Sequence, residues 1–219
     1  FIIEVIEPNL KSIWYTIDGG LTNITITENG TINQVFWEFS ALENITIIFY
    51  AEDLTGNIGS DQVKVIKDTK APDITINNPN GMELFGANAP GFDVSISDAH
   101  LNTTWYSVWN GTVWLGNETF TGSTGTLLQS LWNSCGNGTI TVRFYANDSA
   151  KNLGYKDIIL QKDITAPSIL INNPISDNLF NASAPDYEVD INDANFDEGW
   201  LSLWNGSVWS DNQTLLSFT

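Results

Sequence analysis

This sequence predicts an all-β chain of two-sheet sandwiches in series, and three observations predict it. Apolar and polar residues alternate with period two along short runs, turn dipeptides separate those runs, and the whole pattern recurs at a fixed offset. The recurrence is the strongest of the three. Residues 45–72, ITIIFYAEDLTGNIGSDQVKVIKDTKAP, match residues 140–167, ITVRFYANDSAKNLGYKDIILQKDITAP, at an offset of 95. Phe49-Tyr50-Ala51 answers Phe144-Tyr145-Ala146, Asp53 answers Asp148, and Asn57 and Gly59 answer Asn152 and Gly154. Lys67-Asp68 and Ala71-Pro72 return as Lys162-Asp163 and Ala166-Pro167. After each Ala-Pro comes DITINNP (73–79) or SILINNP (168–174). A third element occurs three times: WYTIDGG from Trp14, WYSVWNG from Trp105 and WLSLWNG from Trp200. Its offsets are 91 and 95, so the second unit carries four extra residues in its middle.

The units are an incomplete one at 1–71, a whole one at 72–166 and an incomplete one at 167–219. Residues 1–33 and 187–219 supply the same part of the pattern, so they are duplicates and not complementary halves. Two accounts of the end fragments stay open: a window on a longer array, or strand addition between neighbouring molecules in a fibre.

Each unit reads as β from its alternation. Phe92, Val94 and Ile96 alternate with Asp93, Ser95 and Ser97; Ile140, Val142, Phe144 and Ala146 alternate with Thr141, Arg143 and Tyr145. Phe1, Ile3 and Val5 repeat that phase in the first unit, as do Tyr187, Val189 and Ile191 in the third. Asn80-Gly81, Asn110-Gly111 and Asn137-Gly138 mark turns between runs, and no stretch shows a 3.6-residue period. About seven short strands in some 95 residues is the rhythm of an immunoglobulin-like sandwich. With one cysteine, Cys135, no intramolecular disulfide can join the sheets, so apolar packing must, with Trp105 and Tyr106 as candidates for it.

The D-x-x-A-P linker, the WY strand with its D/N-G turn, and the F-Y-A-x-D-x-x-x-N-x-G strand and turn resemble the tandem Ig-like, cadherin-like repeats of archaeal and bacterial surface proteins. The resemblance spans essentially the whole chain. It implies an extracellular setting and a role as stalk, fibre subunit, surface-layer piece or adhesin spacer, with neighbouring copies or repeats of the same protein as partners. The repeat type favours an archaeal surface.

Composition removes other functions. Ile, Leu, Val and Phe make up 63 of 219 residues, enough to build a core. Twenty-six acidic against 8 basic side chains leave a net charge of −18, a field that repels nucleic acid and anionic membranes. One arginine, Arg143, cannot supply several phosphate contacts; one cysteine and one histidine, His100, exclude cysteine-based zinc cages and multi-histidine metal sites. No apolar run could span a bilayer, and the opening residues do not read as a signal peptide.

Eleven N-x-S/T sequons stand out: Asn23, Asn29, Asn44, Asn102, Asn110, Asn117, Asn137, Asn147, Asn181, Asn205 and Asn212. With 25 asparagines and 38 serines plus threonines in the chain, random placement gives about four, so the excess predicts dense N-linked glycosylation of an exported protein. The same residues are also good turn formers. A glycan coat would shield sheet edges from aggregation and hinder proteases.

Two further sets of residues are candidates. Interdomain geometry brings Asp68 toward Asp98 and Asp148, and Asp163 toward Asp193, a carboxylate grouping that could hold calcium as in cadherin-like arrays; turn capping is the competing role. Trp105 and Trp109, repeated as Trp200 and Trp204, share one sheet face if Tyr106 and Val108 point inward. They could stack on sugar rings as a carbohydrate-binding or adhesin surface, or be covered by the chain's own glycans. His100 alternates with Asn9 and Asn195 at matching positions and no catalytic constellation repeats, so the sequence predicts a structural module and no enzyme.

Overall fold

The computed structural model describes residues 1–41 and 43–215. These form two compact units, one of residues 1–74, 96–103 and 145–154, the other of residues 75–95, 104–144 and 155–215. Strands dominate both, and the fold class is all-β.

In the first unit, β1 (Leu10–Thr16), β2 (Ile24–Ile26), α1 (Gln34–Phe39), β3 (Asn44–Asp53) and β4 (Ile58–Ile66) follow one another, and the sheet order is β2-β1-β3-β4. Period-two alternation turns Tyr15, Ile17, Ile45 and Ile47 inward, where Phe1, Phe36, Trp37, Phe49 and Val65 close around them. The other face stacks Trp14 on Tyr50, which the register sets directly opposite, with ring centroids 5.4 Å apart. Residues 1–6 show the expected alternation of exposure but form no strand: the Phe1 ammonium and carbonyl bond to Gly30, and Ile3 N donates to Asn29 Oδ1.

The chain continues through β5 (Asp73–Asn78), β6 (Leu84–Phe85), β7 (Gly91–Ser97), β8 (Leu101–Trp109), β9 (Trp114–Thr119), β10 (Thr124–Thr126), α2 (Gln129–Asn133), β11 (Gly138–Asp148) and β12 (Leu153–Lys162). Two sheets result, β10-β7-β5 and β6-β12-β11-β8-β9, with β6 parallel to β12. Three strands facing five, in this order, make an immunoglobulin-like sandwich. The sheets meet through Phe92 of β7, whose ring lies 5.8 Å from Tyr106 of β8 and 5.1 Å from Phe144 of β11, with Phe120 at 5.2 Å. Val94, Val108, Ile140, Val142 and Leu160 complete the core, each burial contributing about 1.5–3 kcal/mol. Tyr106 packs between the sheets as the sequence predicts; Trp105 does not, because it belongs to the opposite face and stays half-buried. β13 (Ser168–Asn173) pairs with β14 (Glu188–Asn192), and β15 (Trp200–Leu201) with β16 (Gln213–Thr214).

Among the described residues two short helices, α1 and α2, stand where no 3.6-residue period marks them. At six and five residues they are too short to display a helical period. Asn33 caps α1 by accepting from Val35 N and Phe36 N. Each helix is fixed from outside by the same two side chains. A core tyrosine hydroxyl accepts a backbone N–H at its start, Tyr15 from Asn33 N at 2.7 Å and Tyr106 from Leu128 N at 2.8 Å. A lysine then takes the carbonyls at its end: Lys67 those of Trp37, Glu38 and Ser40, Lys162 those of Trp132 and Cys135.

Candidate functional site: sequons, tryptophan face and linker aspartates

None of the eleven sequon asparagines is buried; nine are exposed, and Asn110 and Asn147 are half-buried. Among the described residues, several of them use only the amide oxygen. Asn110 Oδ1 accepts from Thr112 N and Val113 N, and Asn205 Oδ1 from Ser207 N and Val208 N, which builds the same hairpin tip twice. Asn29, Asn117, Asn147 and Asn181 likewise accept through Oδ1. Asn137 differs: its Nδ2 donates to Asp163 and Thr165, and its Oδ1 accepts from Ile164 N.

Tyr106 and Val108 do point inward, so Trp105, Ser107 and Trp109 share the outer face. Trp109 pairs with Trp114 across the hairpin, rings 5.5 Å apart, and Trp204 with Trp209 at 5.3 Å in the same register. On that face the Arg143 guanidinium lies over Trp114 at 4.7 Å and over Tyr155 at 4.3 Å while it pairs with Asp157. Trp200 and Trp204 are more than half exposed.

Of the linker aspartates, Asp68 and Asp98 come together, and His100 joins them: ligand atoms of the three lie within 4.8 Å of one another. Asp68 Oδ2 faces His100 Nδ1 at 2.7 Å, Asp68 Oδ1 accepts from Lys70 N, and Asp98 Oδ1 accepts from His100 N. The Lys70 N–H, then His100, hold the Asp68 carboxyl below its ordinary value; Asp68 in turn raises the His100 imidazole. Asp148 is fully buried and stands apart from that trio, with Oδ1 on Asn152 N and Oδ2 on Asn152 Nδ2. Asn152 also donates to the Asp68 carbonyl, so the two aspartates are tied through it. Asp163 Oδ2 accepts from Asn195 Nδ2, and Asp193 Oδ1 from Asn195 N at 2.7 Å. Position 195 thus does for Asp163 what position 100 does for Asp68. Every one of these carboxylates already accepts N–H donors, the arrangement of turn caps, and an imidazole is a poor ligand for a hard, oxygen-seeking cation.

Sequence reasoning passed over His100, Asn152 and Asn195 as partners. The signal was there in the repeated Asp-Ala-His (98–100) and Asp-Ala-Asn (193–195). Cys135 is buried and in no disulfide, its thiol pushed up by burial. Among the described residues, no helix is long and apolar enough to cross a membrane.

No family model and no curated protein matches the chain. Among solved structures it is similar to fibronectin(III)-like modules of Clostridium thermocellum CbhA (11% identity, 74% of this chain and 83% of that one, TM-score 0.37). It is also similar to a tetra-tandem repeat from the extending region of a large adhesion protein (18%, 95% and 56%, 0.37). A third is a Ca2+-stabilized adhesin with which an Antarctic bacterium binds ice (17%, 76% and 44%, 0.32). At TM-scores this low the fold assignment rests on the strand order and packing given above.

Proposed function

We propose that this chain is a structural segment of an extracellular, N-glycosylated repeat protein, with Ig-like modules at 1–71, 72–166 and 167–219 serving in a stalk, fibre or surface layer. One observation carries the reading: eleven sequons, about 2.5 times the chance number, and no sequon asparagine in the core. The repeated helix ties and aspartate turns support a serial module whose role is mechanical. The Ala-Pro linkers restrict bending, since proline fixes its own φ and restrains the residue before it. The negative charge and the sugars keep laterally adjacent copies soluble. Intact-mass measurement on the 219-residue chain made in a host that N-glycosylates, before and after deglycosylation, tests it: a mass well above 24.2 kDa that falls on treatment is expected, and an unmodified 24.2 kDa species overturns it.

A second reading, a carbohydrate-binding or adhesin module, is favoured by the exposed hairpin-tip pair Trp204–Trp209. Selective retention on a glycan array, lost in Trp204→Ala, is its expected result; a spacer gives no selective signal.

A further inference from the structure

The strand register carries an arrangement that the sequence spacing hides. In the first copy Trp14 lies directly across from Thr25, in the second Trp105 across from Thr119, and in the third Trp200 across from Thr214. Each of these threonines is the third residue of a sequon, those of Asn23, Asn117 and Asn212. The hairpin between them is three residues shorter in the first copy, yet the pairing is the same. Residues two apart on a strand share a face. In the second copy Asn117 lies in β9 with Thr119 and therefore stands diagonally from Trp105 on the outer face; Asn23 and Asn212 immediately precede β2 and β16, each two residues before the threonine that faces the tryptophan.

The second copy shows the detail. Ser107, between Trp105 and Trp109 on that face, donates through Oγ to Asn117 Oδ1 at 2.9 Å and to the Gly116 carbonyl at 3.2 Å. The amide oxygen is thus held, while Nδ2 has no protein partner among the described residues. Gly116, at φ +72, supplies the irregularity that sets Asn117 beside Ser107. Ser107 itself is buried, but Asn117 and Thr119 are exposed and Trp105 is half-buried, so the Asn117 amide and the Thr119 hydroxyl are reachable and part of the indole surface is accessible. A diagonal cross-strand neighbour is about 7–8 Å away, a gap that a pyranose ring fills and an asparagine side chain alone does not.

We propose that Asn23, Asn117 and Asn212 are one glycosylation seat used three times, in which the asparagine-linked sugar lays its C–H face on the indole of Trp14, Trp105 or Trp200. The inference rests on the reading of the sequons as glycosylated and adds which sites are structural. Tryptophan across from the sequon makes the first sugar part of the sheet's outer layer, whereas hairpin-tip sequons such as Asn110 and Asn205 only present sugar to solvent.

The test uses the 219-residue chain made in a host that N-glycosylates, with occupancy mapped by glycopeptide mass spectrometry. Thermal unfolding is then compared for wild type, Thr119→Ala, Trp105→Ala and the double variant. Thr119→Ala abolishes the sequon while keeping Asn117; Thr119→Ser keeps the sequon and serves as its control. The expected result is that either single change lowers Tm and the double lowers it no further than the larger single change, the mark of a shared interaction. Additive losses with Asn117 occupied overturn the stack and leave glycosylation standing. An empty Asn117 in native material overturns the seat, and empty sequons throughout overturn both. Should Trp105→Ala not fold, proton NMR of the wild-type glycan decides: upfield-shifted protons on the Asn117-linked sugar support the stack, and unshifted ones overturn it.

Discussion

Lys162 is a costly group to lose. Only 3% of it is exposed; its ammonium sits 2.7 Å from the carbonyls of both Trp132 and Cys135 and 5.1 Å from the Trp132 ring centroid. The ammonium satisfies the Cys135 carbonyl just past α2 and adds a second donor to the Trp132 carbonyl, which already accepts from Cys135 N, and α2 in turn seats the fully buried Trp132. Lys67 repeats the arrangement 95 residues earlier with less burial: three carbonyls at 2.7–3.2 Å and the Trp37 ring at 5.8 Å. Replacing lysine with methionine keeps the aliphatic stem and deletes the charge. Lys162→Met is expected to cost about 2–3 kcal/mol, because the buried Cys135 carbonyl loses its charged donor and the Trp132 carbonyl is left with Cys135 N, and Lys67→Met about 1 kcal/mol, because water can replace it. Urea denaturation followed by circular dichroism measures both. Equal losses would show that burial does not set the difference.

At the scale of elements, the β3–β4 turn and its copy between β11 and β12 share an Asp–Asn frame around three changed residues. Asp53 accepts from Thr55 and Asn57, and the Asn57 amide above all holds its carboxyl down to about 2; Asp148 takes Asn152 in the same way. Gly56, at φ +86, becomes Lys151 at φ +74, a left-handed position that glycine fills without strain. Gly59 and Gly154 look interchangeable in the sequence. A Cβ at Gly59 would meet nothing within 4 Å, but one at Gly154 would stand 2.3 Å from the Pro72 carbonyl oxygen. Gly154→Ala is therefore expected to cost about 1–3 kcal/mol by forcing that backbone aside, while Gly59→Ala is neutral or slightly stabilising; melting temperatures of the two variants check this. The contrast shows what was legible. Alternation at Phe92–Val94 and Ile140–Ala146 announced the buried faces, and the 95-residue offset announced the copies. Register was not legible, because the irregularity at Gly116 and the shorter first hairpin decide which threonine faces which tryptophan. Nor was the partnership of Asp68 with His100, which depends on loops meeting far apart in sequence.

Across the whole chain, the copies act as controls for one another, since a position that changes chemistry between copies isolates what that chemistry does. Position 100 against 195 is the clearest case. Asp68 is met by a titratable imidazole and Asp163 by an amide that keeps its hydrogen bond at every pH. Around His100 stand Asp68, Asp98 and Glu43, all of which favour its cation, with Lys70 bound to Asp73 nearby. His100 is raised from 6.5 in the folded chain, so its contribution is complete below 6.5 and disappears as pH climbs through the raised value. Asp68 is lowered from 3.8, so its share is present above 3.8 and disappears as pH falls through the lowered value. The contact therefore stabilises most between about pH 4 and 6.5 and weakens on the alkaline side. Loss of the His100 proton also brings the chain to its full net charge of −18, which counts the histidine as neutral, and so adds to its self-repulsion. His100→Asn, which writes the third copy's residue into the second, removes that alkaline step. Between pH 5.5 and 8.5 the wild-type melting temperature should fall relative to the variant's, the gap narrowing in high salt because both partners are partly exposed. Parallel profiles for the two proteins would show that the imidazole serves here as an amide does at Asn195, through geometry and not through charge.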